Sequence, residues 1–466
     1  MQKSLSRGIV YIFIANVINL VFNLITTFIL PKYLSVDSYA AIKTYSLYVN
    51  FSGLFHFGYI DGMYLKYGGK DLLSLDKREL INNISTMRIF QTVVTAVVVI
   101  VGICLRDDIF LMFAVTILPY NMSMYYKSFF QAIGEFDRYG KILNSTTITL
   151  FICNIVLLFF VKTDRYIYYL IANALVYLGI CFLLEYKASR ALKVNTLAIS
   201  FSILELKGNI VSGILLMLGN FASIILTSMD RWFTKFYFDN FAFASYSFAV
   251  SAETFLDVAI SPISVTLYNY FCKHDDLAEI EKIRRYVMIF GAFLVSSAFV
   301  IGGILKFWLV KYVDAIKVVY ILFESQLYFI IIRSVYINLY KARKRQNIYF
   351  VKLAIIIVVG FVTNLMAYFI FHNKEGFAIA TMVSLLVWLI LCQLDFKDVN
   401  MSISEIVYLA LASITFYCVG VISNPILSFF LYIVLILTLS FLIMRKEFIE
   451  LIGLALSSVR RILFRG

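Results

Sequence analysis

The sequence predicts an all-α integral membrane protein of about 14 transmembrane helices, arranged as two six-helix lobes with pseudo-two-fold symmetry plus two extra C-terminal helices. Three observations carry that expectation: an apolar, charge-poor composition, fourteen runs of spanning length, and an internal repeat. Of 466 residues, 62% are hydrophobic, 17% aromatic and 15% charged. A soluble domain carries about 25% charged and about 45–50% apolar residues. Four prolines and 21 glycines leave no room for a Pro-rich tail or a disordered linker.

A span needs about 20 predominantly apolar residues to cross about 30 Å of hydrocarbon. The first run, 8–30, is too long for a signal-peptide core and has no clean small-residue cleavage site, so it reads as span 1. The next five are 39–60, 88–105, 109–130, 142–162 and 166–184. Six more follow at 208–229, 241–262, 286–305, 318–340, 350–371 and 376–394. The last two, 404–422 and 426–444, are separated only by Ser423-Asn424-Pro425 and read as an antiparallel pair with a tight turn. The stretch "DLLSLDKRELINNI" before span 3 puts Leu and Ile on one face and charge on the other, and reads as a surface-lying amphipathic helix.

Fourteen spans place both termini on one side. The loops and tails of that side, counted with Arg88, Lys127 and Lys352 at the ends of spans 3, 4 and 11, hold 29 Lys and Arg, the opposite loops hold 10, and Lys43 and Arg333 lie deeper within spans. Positive charge marks the cytoplasmic side, so the expectation is a multi-pass membrane protein with both termini in the cytoplasm. The net charge of +13 is then mainly an orientation signal. The basic residues punctuate spans and form no nucleic-acid patch.

"DKRELINNISTMRIF" at 76–90 aligns with "DLAEIEKIRRYVMIF" at 276–290, matching Asp76, Glu79, Leu80, Ile89 and Phe90 to Asp276, Glu279, Ile280, Ile289 and Phe290. Ala41, Tyr45 and Ser46 align with Ala242, Tyr246 and Ser247 at nearly the same offset. The chain therefore divides into an N-lobe (1–200, spans 1–6), a C-lobe (201–400, spans 7–12), and residues 401–466 with spans 13 and 14 and a cytoplasmic tail. Paired repeats of this kind belong to alternating-access transporters, with the substrate between the repeats.

At this point three stretches carry a resemblance: "LPKYLSVDSYA" (30–40), "GYIDGMYLKYGGKD" (58–71) and "DRWFTKFYFDNFAFASYSFA" (230–249). With the span count and the near absence of loops, the chain resembles the multidrug/oligosaccharidyl-lipid/polysaccharide exporter superfamily. Within it, the chain looks like the O-antigen and capsule repeat-unit flippases. The resemblance implies export of an undecaprenyl-diphosphate-linked glycan across a bacterial cytoplasmic (inner) membrane, through a cationic cavity and driven by a proton or sodium gradient. It implies a lipid-linked glycan and membrane lipids as partners, with glycan polymerase and chain-length machinery beside them.

Charge inside a bilayer is costly and faces protein or a water-filled cavity. Glu253 and Asp257 lie four apart in span 8 and share one helix face, which suits a proton or sodium site; the alternative is pairing with cations of neighbouring helices. Arg333 in span 10 is the deepest cation, and a guanidinium holds a diphosphate bidentately; the alternative is a structural pair with a carboxylate of span 8. Lys43, a few residues into span 2, points into the cavity or snorkels outward. Asn16, Asn19 and Asn23 form a polar stripe on span 1 that lines the cavity or bonds between helices. Glu324 in span 10 is a further ion-coupling candidate. Asp230 and Arg231 fall about 33 Å along span 7, at its outer rim: Arg231 as a contact for the departing diphosphate, Asp230 as an ion-coupling or lobe-latching group.

Enzyme chemistry is not expected. The external loops are short, no His–Asp pair is placed, and no catalytic residue, cofactor or metal site emerges. Three histidines and six cysteines are scattered, with no CxxC, so the cysteines read as small buried hydrophobes. A P-loop GK[ST] is absent from "GYIDGMYLKYGG". The rival readings are an ion-coupled multidrug exporter of the same fold, a membrane-embedded glycan-modifying enzyme, and a non-transporting scaffold.

Overall fold

The computed structural model describes residues 2–70, 75–192 and 194–453. The described residues contain helices and connections only, and the chain forms two compact units, Met1–Ser228 and Met229–Gly466. All fourteen expected spans fall on helical segments. Twelve are long and apolar enough to cross a membrane, and Ile18–Tyr33 is a shorter apolar helix. The fourteenth, span 2, is broken.

The first unit runs α1 (Gln2–Tyr33), α2 (Val36–Asn50), a 3-10 turn (Ser52–His56), α3 (Tyr59–Tyr67), α4 (Lys77–Leu105), α5 (Asp108–Ala132), α6 (Phe136–Ile155) and α7 (Tyr166–Leu192). It ends in α8 (Ile203–Tyr237), within which the division between units falls. The Ser35 hydroxyl caps α2 and the Asp76 carboxylate caps α4, each accepting from a first-turn N–H. Residues 77–84, expected on a surface helix, are instead the first turns of α4. Leu80 and Ile84 bury their side chains there against Tyr59, Met63 and Tyr126; residues 71–74 lie outside the described residues. Membrane burial wins because α4 extends N-terminally past its apolar run without a break.

The break in span 2 is a built feature. Phe57 and Gly58 both adopt positive φ, 49° and 86°, which only Gly does without strain. Backbone groups freed inside a bilayer must find partners. Gln91 Nε2 donates to the Phe55 carbonyl at 2.9 Å, and Asn121 Nδ2 donates to the Ser52 carbonyl at 3.1 Å and to Gln91 Oε1 at 2.8 Å. Beyond the break, α3 crosses α8 at backbone contact. A Cβ on Gly62 would overlap the Asn209 carbonyl, and one on Gly213 would overlap Gly58 and Gly62. Small residues permit such approach between membrane helices.

The second unit continues with α9 (Asn240–Glu253), α10 (Leu256–Phe271), α11 (Leu277–Leu294), α12 (Ser297–Phe307), α13 (Ile316–Ile331), a π turn (Ile332–Tyr336) and α14 (Ile337–Ala342). It closes with α15 (Gln346–Phe371), α16 (Lys374–Asp395), α17 (Ile403–Gly420) and α18 (Pro425–Ile443). Asp276 caps α11 as Asp76 caps α4, so the repeat aligns two helix starts. Span 8 tightens at Thr254 and Phe255, between α9 and α10, but keeps right-handed helical φ/ψ there, unlike span 2 at Phe57 and Gly58. The added pair α17 and α18 packs on this unit through Phe299, Tyr320, Phe416 and Tyr432, whose rings meet at 4.9–6.2 Å. Arg284 of α11 locks the same pair. It bonds both Glu405 oxygens at 3.0 and 2.9 Å and the Val399 and Asn400 carbonyls.

Candidate functional site

The α9–α10 junction is where the second unit gathers the polar groups of Glu253, Asp257, Gln326 and Arg333. The hydrogen-bond ladder tightens there: Phe255 N donates to the Ala252 carbonyl and Asp257 N to the Thr254 carbonyl, each at 3.2 Å. Glu253 and Asp257 lie on either side of this tightened turn. Both carboxylates look toward α13 and its π turn. Glu253 accepts from Gln326 Nε2, and Asp257 pairs with Arg333. Gln326 and Arg333 are seven residues apart, two turns along one face.

Arg333 sits inside the π turn, an irregularity that often marks functional sites. Its guanidinium bonds Asp257 and, at 3.0 Å, Ser261 Oγ. Ser264 Oγ donates to the Arg333 carbonyl at 3.2 Å, and Asn338 Nδ2 donates to the Ser264 and Ser334 carbonyls at 2.8 and 2.9 Å. The turn is thus fixed by α10 and α14, and the guanidinium is presented from a rigid frame. The ion pair is accessible: the Arg333 side chain is 29% exposed and that of Asp257 49%. The structural pairing weighed for Arg333 is therefore present, with donor capacity left over.

Asp230, which meets α9 at Tyr246, two turns before Glu253, is buried. Its carboxylate accepts from Tyr246 Oη at 2.8 Å, Thr381 Oγ1 at 3.3 Å and the Arg231 N–H at 2.7 Å. The next residue, Arg231, lies in the field of both Asp230 and Glu253. Helix α8 begins at Ile203 and continues to Tyr237, so Asp230 lies about 10 Å inside its end. Its partners on α9 and α16 are equally deep. The apolar run stops at Met229, but "RWFTKFY" is amphipathic enough to stay helical against α9 and α15; Phe233 packs on Phe361 and Phe377. The described bonds of the Asp230 side chain all fall within the second unit.

The remaining candidates lie apart. Glu324 is buried on the opposite face of α13, beside Ser413 of α17, which also bonds Tyr328 at 2.7 Å. Lys43 is half-buried in the first unit with its ammonium 5.3 Å from the Tyr39 ring. Asn19 is buried and donates to Asn144 of α6 at 3.2 Å, Asn23 is exposed, and the Asn16 side chain lies outside the described residues. At Asn19 the stripe makes the interhelical bond that was its alternative reading.

Several residues of the site escaped the sequence reading. Gln326 and Thr381 were legible as polar residues inside spans, but an uncharged side chain gave no reason to single them out. Tyr246 was aligned only as a repeat position. At the basic end of the first unit, Lys66 bonds both oxygens of Glu205 at 2.8 Å and Glu79 at 2.7 Å, while Asn83 Nδ2 donates to Glu205 at 2.9 Å. These charges read only as orientation signals because their partners are far apart in sequence.

The fold has solved counterparts. A structure of the lipid II flippase MurJ, in an inward closed conformation, matches with TM-score 0.63 at 12% identity, over 93% of this chain and 98% of that one. An inward-facing multidrug resistance MATE family transporter of the MOP superfamily matches with TM-score 0.57 at 10% identity, over 83% and 95%. At such identities the likeness establishes a shared fold. No family model and no curated protein matches the sequence.

Proposed function

We propose that this protein is a flippase for lipid-linked oligosaccharides, moving undecaprenyl-diphosphate-linked glycan repeat units of an O-antigen or capsule from the inner to the outer leaflet by alternating access. The observation that carries the reading is Arg333. It is a partly exposed guanidinium inside the apolar stretch of span 10, held on a π turn and paired with a more exposed carboxylate. A fold shared with a lipid II flippase supports a lipid-linked substrate.

In this reading the diphosphate head competes with Asp257 for Arg333. A guanidinium presents five N–H donors, so it can hold a phosphate while it exchanges one carboxylate contact. Protonation of Asp257 or Glu253 removes the competing charge and favours the phosphate-bound state. Arg231, in the field of Glu253, is a second candidate cation for the substrate, and Lys43 remains a candidate substrate contact. Asp230, with Tyr246 and Thr381 around it, is the candidate ion-coupling carboxylate, and Glu324 is a separate one on the α17 side. Asn16, Asn19 and Asn23 remain candidates for sugar contact.

A second reading is an ion-coupled multidrug exporter. Its supporting observation is the group of three carboxylates in the second unit, with Glu253 in the field of both Asp230 and Asp257, on a fold also found in a multidrug transporter. Ligand-dependent thermal stability separates the two. A ligand at tenfold its Kd stabilises the state it binds by about 1.4 kcal/mol. Undecaprenyl diphosphate should raise Tm in wild type and fail to do so in Arg333→Ala, while cationic dyes do neither. Stabilisation by the dyes, undiminished in Arg333→Ala, would overturn the flippase reading in favour of the second.

A further inference from the structure

The connection between α7 and α8 alternates with period two. Val194 and Thr196 are buried and Ala198, Ser200 and Ser202 partly so, while Leu197, Ile199, Phe201 and Ile203 stand outward, joined by Leu204. Ile199 is 90% exposed. The inward residues are tied down. The Ser200 N–H donates to Ser85 Oγ at 2.7 Å, Ser200 Oγ to Asn82 Oδ1 at 2.5 Å, and the Ser202 N–H to Thr86 Oγ1 at 3.0 Å. Arg88 bonds the Thr196 carbonyl and, at 3.2 Å, Glu185. A segment fixed this firmly does not display five large apolar side chains to water without a partner.

Depth identifies the partner. Helix α4 has 29 residues, about 43 Å of axis against about 30 Å of hydrocarbon. Its contacts with the strip, Asn82 to Thr86, fall about 8–14 Å from its basic end, at the level where head groups meet acyl chains. A lipid-exposed non-helical backbone is excluded from the hydrocarbon core but tolerated at that boundary. The outward face continues into Phe182, Leu183 and Tyr186 of α7, which are exposed. Around it stand the exposed cations Lys187, Arg190 and Lys207, with the Arg190 guanidinium 5.0 Å from the Tyr186 ring. The acidic neighbours Glu185 and Glu205 are already paired, with Arg88 and Lys66.

We propose that residues 197–204 form an in-plane anchor that binds the anionic lipid leaflet on the Lys- and Arg-rich side. The apolar side chains enter the upper acyl region, and the three cations hold lipid phosphates at the negatively charged surface. The anchor keeps the start of α8 at one depth whichever substrate is carried.

Quenching in proteoliposomes tests this. The chain has three Trp, none between α1 and α7, so the signal of Ile199→Trp is read as its difference from the parent; Phe201→Trp serves if the first variant folds poorly. The added indole should be quenched by lipids brominated near the head group more than by those brominated at the chain end. Leu175→Trp, exposed at mid-α7, should show the reverse order. Brominated phosphatidylglycerol should quench about two-fold more than brominated phosphatidylcholine, and the Lys187→Gln/Arg190→Gln/Lys207→Gln variant should lose that difference. Strong iodide quenching with none from bromolipid would overturn the anchor. Equal quenching by the two bromolipid head groups would overturn its anionic preference.

Discussion

Replacing Arg333 with Ala separates a working cation from a packing one. The Arg333–Asp257 pair is 29% and 49% exposed, so solvent screens it and its contribution to stability is about 0.5–1 kcal/mol. Removing Arg333 leaves Asp257 partly hydrated rather than stranded. The Arg284–Glu405 pair is the internal control, with both side chains 0% exposed. Breaking it by Arg284→Ala strands a buried carboxylate and two carbonyls, at about 3–5 kcal/mol. A unit of about 240 residues melts with an entropy of about 0.5 kcal/mol/K. The expected Tm losses are then about 1–2 °C for Arg333→Ala and about 6–10 °C for Arg284→Ala. Function should rank the other way. Losing one charge-assisted contact costs the substrate about 1.5–3 kcal/mol, a drop of about 10- to 150-fold in apparent affinity. Arg333→Lys, which keeps charge but not bidentate geometry, should fall between. The assay is complementation of glycan export, normalised to folded protein, beside thermal unfolding in detergent. If Arg333→Ala melts as early as Arg284→Ala and export per folded molecule is unchanged, Arg333 is a packing residue and the diphosphate clamp is refuted.

Three further outcomes follow from the same contacts. Gln91→Leu should strand the Phe55 carbonyl and one Asn121 donor, lowering stability by about 1–3 kcal/mol per orphaned group; a Tm equal to wild type would show that the break in span 2 needs no such partner. Gly213→Ala should force α8 off α3, so cross-linking between Cys introduced for Ile60 and Ile210 should slow at least several-fold while wild-type spacing cross-links freely. Hydrogen bonds from Lys282 and Tyr286 hold the Glu450 carboxyl below its usual range. A depressed folded pKa gives stability that is present above the unfolded value, near 4.5, and lost as pH falls through the folded value. Glu450→Gln should therefore flatten the acid limb of the Tm-versus-pH curve below about pH 4.5, and an unchanged limb would rule the contact out as a source of it.

Asp230 shows where reading along the chain fails. Hydropathy ends the apolar run at Met229, and nothing along the chain names a partner for the carboxylate that follows. The helix instead runs on to Tyr237 because Phe233 finds Phe361 and Phe377, and the acid then finds Tyr246 and Thr381. The same holds for residues 77–84, where an amphipathic pattern fitted a surface helix and a buried helix start equally well. Arg284 was counted as one more loop cation, yet it is among the most buried side chains in the protein. Glu253, Asp257 and Arg333 were legible because charge inside a span is expensive wherever it points; their partners were not.

The sequence by itself determined the number of spans, the side rich in Lys and Arg, the repeat that aligns the starts of α4 and α11, and the short list of charges that must find company. Those properties follow from transfer between water and hydrocarbon, which depends on composition along one dimension. Tertiary structure alone decided which charges meet. Arg333 reaches Asp257 and Arg284 reaches Glu405 through helix rotation, the tightened turn after Glu253 and the π turn at Arg333. Those are set by side-chain packing between segments 70 to 120 residues apart, which no local pattern records.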